Sequence, residues 1–149
     1  MDWIYQNKKI KQISDLPDNT YGFVYKITHP ITGKAYIGKK VLFHNRKQKL
    51  TKKDLALYEG QPGRKPTHKI VQKESDWKTY WGSNKYLKEV MKEEPLENFE
   101  RHILICAPTK KLLTYYEVKY QMVYQVLENP DEFYNDNILG KFFTKDFDI

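Results

Sequence analysis

Cysteine is almost absent from this chain of 149 residues, in which Cys106 is the only one. A single cysteine excludes an intramolecular disulfide and favours a reducing compartment. The N-terminus turns to charged residues instead of an apolar stretch, and no apolar run approaches the roughly 18 residues that cross a membrane. These absences predict a protein without a signal peptide or a membrane partner, located in the cytoplasm of the cell that makes it.

Acidic residues are also scarce. The chain carries 26 lysine and arginine residues against 19 aspartate and glutamate residues, which gives a formal net charge of +7 and a pI of about 9.3. Between Lys39 and Lys73 only Asp54 and Glu59 oppose a run of basic residues. This balance favours a polyanionic partner, either nucleic acid or an anionic membrane surface, although a merely basic soluble protein has the same composition.

A chain of this length is one domain with a modest core. Residues 21–43 alternate between apolar and polar positions around a turn at Pro30 and Gly33, which predicts a β-hairpin, and residues 99–106 predict a third strand. Ser83 and Pro95 bracket a predicted helix. A longer helix is predicted after Thr109, from apolar residues at helical spacing, namely Leu113, Tyr116, Tyr120, Val123 and Leu127.

The predicted fold class is therefore α+β, with a small three-stranded antiparallel sheet flanked by helices. Residues 1–19 are predicted to be an N-terminal extension, and residues 20–149 the main domain. Residues 45–76 are polar and contain two glycines and two prolines, so they are predicted to form a long basic loop inserted in that domain, with a short helix near residues 54–58.

Two tyrosines eleven residues apart are the most informative pattern. Tyr25 ends the first strand of the hairpin and Tyr36 begins the second, so both phenols are expected near one end of the sheet. Lys39, Lys40 and the pair His44 and Arg46 follow at once, which suggests phosphate chemistry. The alternative is cross-strand aromatic packing, which is common in hairpins.

These residues resemble the GIY-YIG nuclease family. Tyr36-Ile37-Gly38 matches the second half of the motif outright, while Phe23-Val24-Tyr25 stands where Gly-Ile-Tyr is usual. Arg46, Glu117 and Asn135 follow in the order of the family's catalytic arginine, metal-binding glutamate and late asparagine. Residues 76–84 resemble the phage-encoded, homing-endonuclease-like branch, whose members would act in the cytoplasm of the host cell.

The resemblance implies a DNA endonuclease. Tyr25 would activate or orient the attacking water, with its pKa lowered by positive neighbours, and Tyr36 would hydrogen-bond the scissile phosphate or assist Tyr25. Arg46 would neutralise charge in the transition state, and Glu117 would hold Mg²⁺ or Mn²⁺. Since only one such carboxylate is evident, one ion is expected.

Each role has an alternative. Glu117 lies on an apolar helix face, where an isolated carboxylate is costly unless it binds a cation or pairs with a lysine or a tyrosine hydroxyl. His44 shares a strand face with Arg46 and is a candidate proton carrier or a surface histidine. Arg64 is the alternative catalytic arginine, and Tyr80 is the phenol nearest to the position where some family members have a histidine. The residues expected to contact nucleic acid are Gly38, Lys39, Lys40, Lys47, Lys49, Lys52, Lys53, Arg64, Lys65, Tyr80 and Asn135.

Three functions therefore compete. The leading hypothesis is a metal-dependent DNA endonuclease, with a homodimer or a partner protein as a possible route to double-strand cutting. The alternatives are a catalytically inactive nucleic-acid-binding module of the same fold, and a structural protein whose aromatic residues are all core. A catalytically inactive module would not need Glu117, so this residue favours the first hypothesis over the second. Salt-sensitive DNA binding separates the first two hypotheses from the third.

Overall fold

The computed structural model describes residues 1–148. The chain divides into two compact units: a main unit, Met1–Leu42 together with the chain from Asp76 onward, and a hairpin unit, Phe43–Ser75. The strands are β1 (Trp3–Tyr5), β2 (Lys8–Ile10), β3 (Gly22–Thr28), β4 (Ala35–Val41), β5 (Phe43–Lys49), β6 (His68–Glu74), β7 (Glu100–Ala107), β8 (Asn137–Ile138) and β9 (Phe142–Phe143). The α-helices are α1 (Lys52–Ala56), α2 (Lys85–Glu93) and α3 (Lys110–Val123), and single 3₁₀ turns occupy Ile13–Asp15, Trp77–Thr79, Leu96–Asn98 and Thr144–Phe147.

The main unit contains a five-stranded sheet in the order β2-β1-β7-β3-β4. All neighbouring pairs are antiparallel except β1 and β7, which are parallel. The α+β class is confirmed, but the prediction of three purely antiparallel strands was wrong. The reason lies in residues 1–19, which supply two further strands anchored by Trp3: its ring is 1% exposed, and its Nε1 donates a hydrogen bond of 2.7 Å to the Trp77 carbonyl.

The two predicted helices of the main unit are present, with two differences. Thr109 caps α3, since its hydroxyl accepts from the Leu112 amide at 3.1 Å. This helix ends at Val123, and Gln125 beyond it takes a φ of 54°. Val123 is exposed rather than turned inward, because the buried residues of α3 are Leu113 and Gln121, and Val123, two residues after Gln121, lies on the opposite side of the helix. The cap of α2 is Asn84 and not Ser83, because the Asn84 side chain accepts from two backbone amides of the first turn.

The hairpin unit corrects the prediction of a long loop. Strands β5 and β6 pair antiparallel over seven residues each, and α1 lies in the connection between them. Backbone hydrogen bonds stabilise this unit, which has little hydrophobic core. Among its described residues, only Leu50 is buried. It contains nine lysine and arginine residues against three acidic ones, so it holds a net +6 of the chain's +7.

Helix α3 covers one face of the main sheet. A buried cluster that includes Val24, Ile37, Leu113 and Leu127 joins the helix to β3 and β4. Burial of each such side chain stabilises the fold by about 1.5–3 kcal/mol. None of the helices within residues 1–148 has the length and apolar character needed to cross a membrane.

Candidate active site

A cleft of about 560 Å³ opens in the main unit. The end of β4, the start of α2, one face of α3 and the C-terminal segment all contribute to its walls. Its lining residues are Tyr36, Lys39, Ser83, Asn84, Lys85, Glu117, Gln121, Asn135, Asp136, Asn137, Leu139 and Gly140. The structure thus gathers Tyr36, Lys39, Glu117 and Asn135 of the predicted site residues around one cavity.

Tyr25 and Tyr36 meet because Gly38 has no side chain. Tyr25 pairs with Gly38 across β3 and β4. A Cβ on Gly38 would lie 2.6 Å from the Tyr25 hydroxyl and 2.9 Å from the Tyr36 ring. The two ring centroids are 6.1 Å apart, and the Tyr80 ring packs on Tyr25 at 5.9 Å. Gly38 therefore has a packing role, and its predicted contact with phosphate stays a prediction.

Burial raises the pKa of both tyrosines. Tyr25 is 1% exposed, and desolvation, with the nearby Tyr36 and Tyr80 hydroxyls, raises its pKa well above the ordinary value. Desolvation and the Glu117 carboxylate raise the pKa of Tyr36 to about 12. The expectation that positive neighbours lower the pKa of Tyr25 was wrong, because burial raises it and the groups that act on Tyr25 are Tyr36, Tyr80 and Glu117, none of which is positive. Both phenols are therefore protonated at neutral pH and are able to donate hydrogen bonds.

Glu117 presents a partly buried carboxylate to the cleft. Its side chain is 17% exposed, and its Oε1 lies 3.9 Å from Lys39 Nζ. Desolvation raises the pKa of Glu117, opposed by the Lys39 ammonium and a hydrogen bond from the Lys39 backbone. The ammonium of Lys39 also donates to the Thr114 hydroxyl at 3.0 Å, so the carboxylate has only a shared and distant counter-charge.

Mg²⁺ fits this donor set. Within residues 1–148 no three His, Cys, Asp or Glu side chains cluster closely enough to enclose an ion. Mg²⁺ does not need such a cage, since it keeps several waters and commonly binds through one or two carboxylates and substrate phosphates. Two carboxylates line the cleft, Glu117 and Asp136, and Glu117 is the one that would hold the ion according to the family resemblance.

The Asn135 side chain forms two hydrogen bonds to the backbone of β4. It is 4% exposed; its Oδ1 accepts from the Ile37 amide at 3.0 Å and its Nδ2 donates to the Ile37 carbonyl at 2.8 Å. Gln121 donates to the same carbonyl at 3.0 Å. Asn135 and Gln121 together tie the C-terminal segment and α3 to the edge of β4, directly beside Tyr36.

Lys40 and Tyr80 form a separate contact. Lys40 Nζ lies 2.6 Å from the Asp76 carboxylate and 4.0 Å from the centroid of the Tyr80 ring. The backbone of Tyr80 is held in turn by Arg101, whose Nη1 donates to the Tyr80 carbonyl at 2.8 Å. Arg101 is 3% exposed and lies between the rings of Trp3 and Trp81.

Sequence reasoning missed Arg101, Gln121 and Ser83. Arg101 alternates with Ile103 along β7, and this register could have shown that its side chain points inward. Gln121 follows Glu117 by four residues and therefore shares its helix face. Ser83 lines the cleft with Tyr36 and acts to lower the pKa of that phenol, and no local sequence pattern indicates this position.

The remaining predicted residues belong to the hairpin unit. His44 and Arg46 alternate on β5 and therefore share a face of that hairpin, opposite Lys73 and Val71. The hairpin unit also contains six of the side chains predicted to contact DNA, and all six are exposed: Lys47, Lys49, Lys52, Lys53, Arg64 and Lys65. Their roles, like those of His44 and Arg46, stay predictions.

The protein is an α+β domain with a cleft that is lined by phenol, ammonium and carboxylate groups. Residues 3–138 match the family described as "Putative endonuclease segE, GIY-YIG domain". The match covers most of the chain, which therefore belongs to the GIY-YIG nuclease superfamily, as the tyrosine motif predicted. No curated protein and no solved structure matches the chain.

Proposed function

We propose that this protein is a metal-dependent endonuclease that hydrolyses DNA phosphodiester bonds at a single site. The observation that carries the proposal is the half-buried Glu117 carboxylate, which lines the same cleft as Tyr36 and Lys39. A carboxylate in that environment needs a cation, and the phenol and ammonium beside it suit a phosphate.

Glu117 would hold one Mg²⁺ or Mn²⁺ ion. When bound, such an ion neutralises charge on phosphate oxygens and on the leaving oxygen, and lowers the pKa of water. The ammonium of Lys39, 3.9 Å from Glu117, would be released toward a phosphate oxygen when the carboxylate gains this second partner. Lys39 therefore contributes to substrate binding as well as to the charge balance beside Glu117.

Tyr36 would donate a hydrogen bond to the scissile phosphate. Its pKa of about 12 keeps the proton on the phenol at neutral pH, and the hydrogen bond strengthens as negative charge develops on the phosphate. Tyr25 does not line the cleft. We propose that Tyr25 fixes the Tyr36 and Tyr80 rings through direct packing, and the role of activating or orienting the attacking water, implied by the family resemblance, stays a prediction.

The catalytic arginine is proposed to be Arg46, with Arg64 as the alternative. Replacement of each by alanine identifies it: the catalytic arginine should cost roughly a hundredfold in cleavage rate, as loss of a charge-stabilising donor does. The other arginine should affect mainly DNA affinity. Loss of activity in Arg64→Ala with retention in Arg46→Ala would move the role to Arg64.

Cleavage of supercoiled plasmid with Mg²⁺ against EDTA tests the proposal. Glu117→Gln should abolish cleavage and leave DNA affinity largely intact, because the amide keeps the size of the side chain and loses the charge that holds a cation. Glu97→Gln is the matched control, since Glu97 is exposed and remote from the cleft lining. Cleavage by Glu117→Gln at the wild-type rate would remove Glu117 from the metal site.

The second candidate is a DNA-binding module without catalysis. It rests on the charge of the hairpin unit, a net +6, which is independent of the cleft. Salt-sensitive DNA binding with no cleavage under Mg²⁺ or Mn²⁺ would favour it over the endonuclease. For an active enzyme, one site cuts one strand at a time, so double-strand cutting would need a second copy or a partner protein.

A further inference from the structure

The turn between β8 and β9 holds an unusual residue. The Lys141 amide donates to the Ile138 carbonyl at 3.0 Å, and the two residues between them have positive φ angles, 58° at Leu139 and 63° at Gly140. Positive φ at both central positions is the requirement of the type I′ hairpin turn, for which Asn-Gly is the ordinary sequence. Here leucine stands where asparagine is expected.

Leucine is disfavoured in this conformation, because its Cβ crowds the following carbonyl and its side chain offers no polar group in compensation. Within residues 1–148 the other non-glycine residues with positive φ are all amides, namely Gln6, Asn7, Asn19 and Gln125. Burial does not offset the strain at Leu139, since 54% of its surface is exposed. Backbone preference and the hydrophobic effect therefore both oppose leucine at this position, and strain of this kind gathers at functional positions.

The position of Leu139 in the cleft suggests a function for its side chain. It lines the cleft that also contains Tyr36 and Glu117, on the wall made by the C-terminal segment. The remaining lining is mostly polar or charged, so Leu139 is the one large aliphatic group that the lining offers to a molecule in the cleft. Phe142, two residues from Gly140 on β9, is 47% exposed and extends the apolar surface of this turn.

We propose that Leu139 is an apolar wedge that packs against the nucleobase next to the scissile phosphate and unstacks it from its neighbour. This inference rests on the proposed DNA substrate. When a phosphate is bound beside Tyr36 and Glu117, the apolar surface nearest to it is the face of the adjoining base, and Leu side chains unstack base steps in this way in other DNA-binding proteins. The wedge favours pyrimidine–purine steps, which unstack most easily.

The test measures base unstacking in the absence of metal, so that it does not depend on cleavage. The probe is a short duplex with a fluorescent adenine analogue at a TA step, with EDTA present, and affinity is followed by anisotropy of an end label. Wild-type protein should raise the analogue's fluorescence severalfold. Leu139→Asn and Leu139→Gly should abolish the rise at protein concentrations that saturate the duplex, while affinity falls by about tenfold, within the range expected for one lost base contact.

Two further variants make the result decisive. Both substitutions above relieve the strained turn and are therefore expected to fold at least as well as the wild type. Leu139→Phe keeps a large apolar side chain and should retain the fluorescence rise. Leu96→Asn is the matched control, because Leu96 is 46% exposed and does not line the cleft.

The outcomes separate this proposal from the proposed function. An undiminished rise with Leu139→Asn, or no rise with wild-type protein, overturns the wedge even when plasmid is cleaved. A rise that depends on Leu139, without cleavage under Mg²⁺, supports the wedge and refutes the proposed hydrolysis.

Discussion

Asn135→Ala is the perturbation whose size follows most directly from the structure. Ile37 lies on β4, at the edge of the main sheet, and its N–H and C=O point away from β3. Asn135 supplies both hydrogen bonds that a neighbouring strand would otherwise provide. The Ile37 carbonyl keeps Gln121 as a donor in the variant, whereas the amide loses its partner in a buried environment.

The expected cost follows from these contacts. A buried N–H without a partner costs about 1–3 kcal/mol, and the lost hydrogen bond to the carbonyl adds about 1 kcal/mol. The total of roughly 2–4 kcal/mol corresponds to a fall in Tm of roughly 10 °C for a chain of this size. Gln121→Leu should cost only about 1 kcal/mol, because Asn135 then still satisfies the Ile37 carbonyl. Both variants should also slow cleavage, since Tyr36 precedes Ile37 and Glu117 lies one turn before Gln121.

Urea unfolding followed by tryptophan fluorescence is the assay. Trp3, Trp77 and Trp81 all belong to the main unit, so their fluorescence reports on the unit that contains the contact. Asn129→Ala is the control, because the Asn129 side chain makes only an exposed local hydrogen bond to the Gln125 carbonyl, and its backbone hydrogen bonds are kept in the variant. A midpoint for Asn135→Ala equal to that of the control would refute the reasoning, since the Ile37 amide would then have no need of Asn135.

Three other predictions test the tyrosine pair and the hairpin unit. Gly38→Ala should destabilise the protein by about 1–3 kcal/mol in the same urea assay, since its Cβ would meet the buried Tyr25 hydroxyl at 2.6 Å; an unchanged midpoint would contradict that packing. Folding raises the pKa of Tyr25 and of Tyr36, so their protonated phenols stabilise the fold. This stabilisation is complete below about pH 10, the pKa of tyrosine in the unfolded chain. It is lost as the pH rises through the pKa values of the folded protein, which is about 12 for Tyr36. Tyrosinate absorbance should thus rise late and together with unfolding, and Tyr36→Phe should shift alkaline unfolding to higher pH; ionisation of every tyrosine near pH 10 in folded protein would exclude this account. Alanine at Lys52, Lys53, Arg64 and Lys65 should reduce the slope of log DNA affinity against log salt by about four if each contacts one phosphate, whereas an unchanged slope would mean that DNA is bound elsewhere.

The sequence by itself determined the features whose signals are local. Strands β3, β4 and β7 follow from short-range alternation, and the start of α3 follows from Thr109 and the apolar period after it. The tyrosine motif, followed in order by Arg46, Glu117 and Asn135, predicted the family, which the match over residues 3–138 confirms. The strand and helix signals each lie within a window of a few turns or one hairpin.

Features that depend on distant contacts were decided by the tertiary structure. Strands β1 and β2 are three residues each, which is too short for a periodic pattern. They form because Trp3 packs against the Phe23 ring and donates a hydrogen bond to the Trp77 carbonyl. Asn135 reaches Ile37 across 98 positions of sequence. The pKa of Tyr25 moved opposite to the prediction because burial is a property of everything packed around a side chain, whereas neighbouring charges can be read from the sequence. Sequence therefore determined which chemical groups are present and in what order, and packing decided which of them keep their protons, which face the cleft and which only hold the others in place.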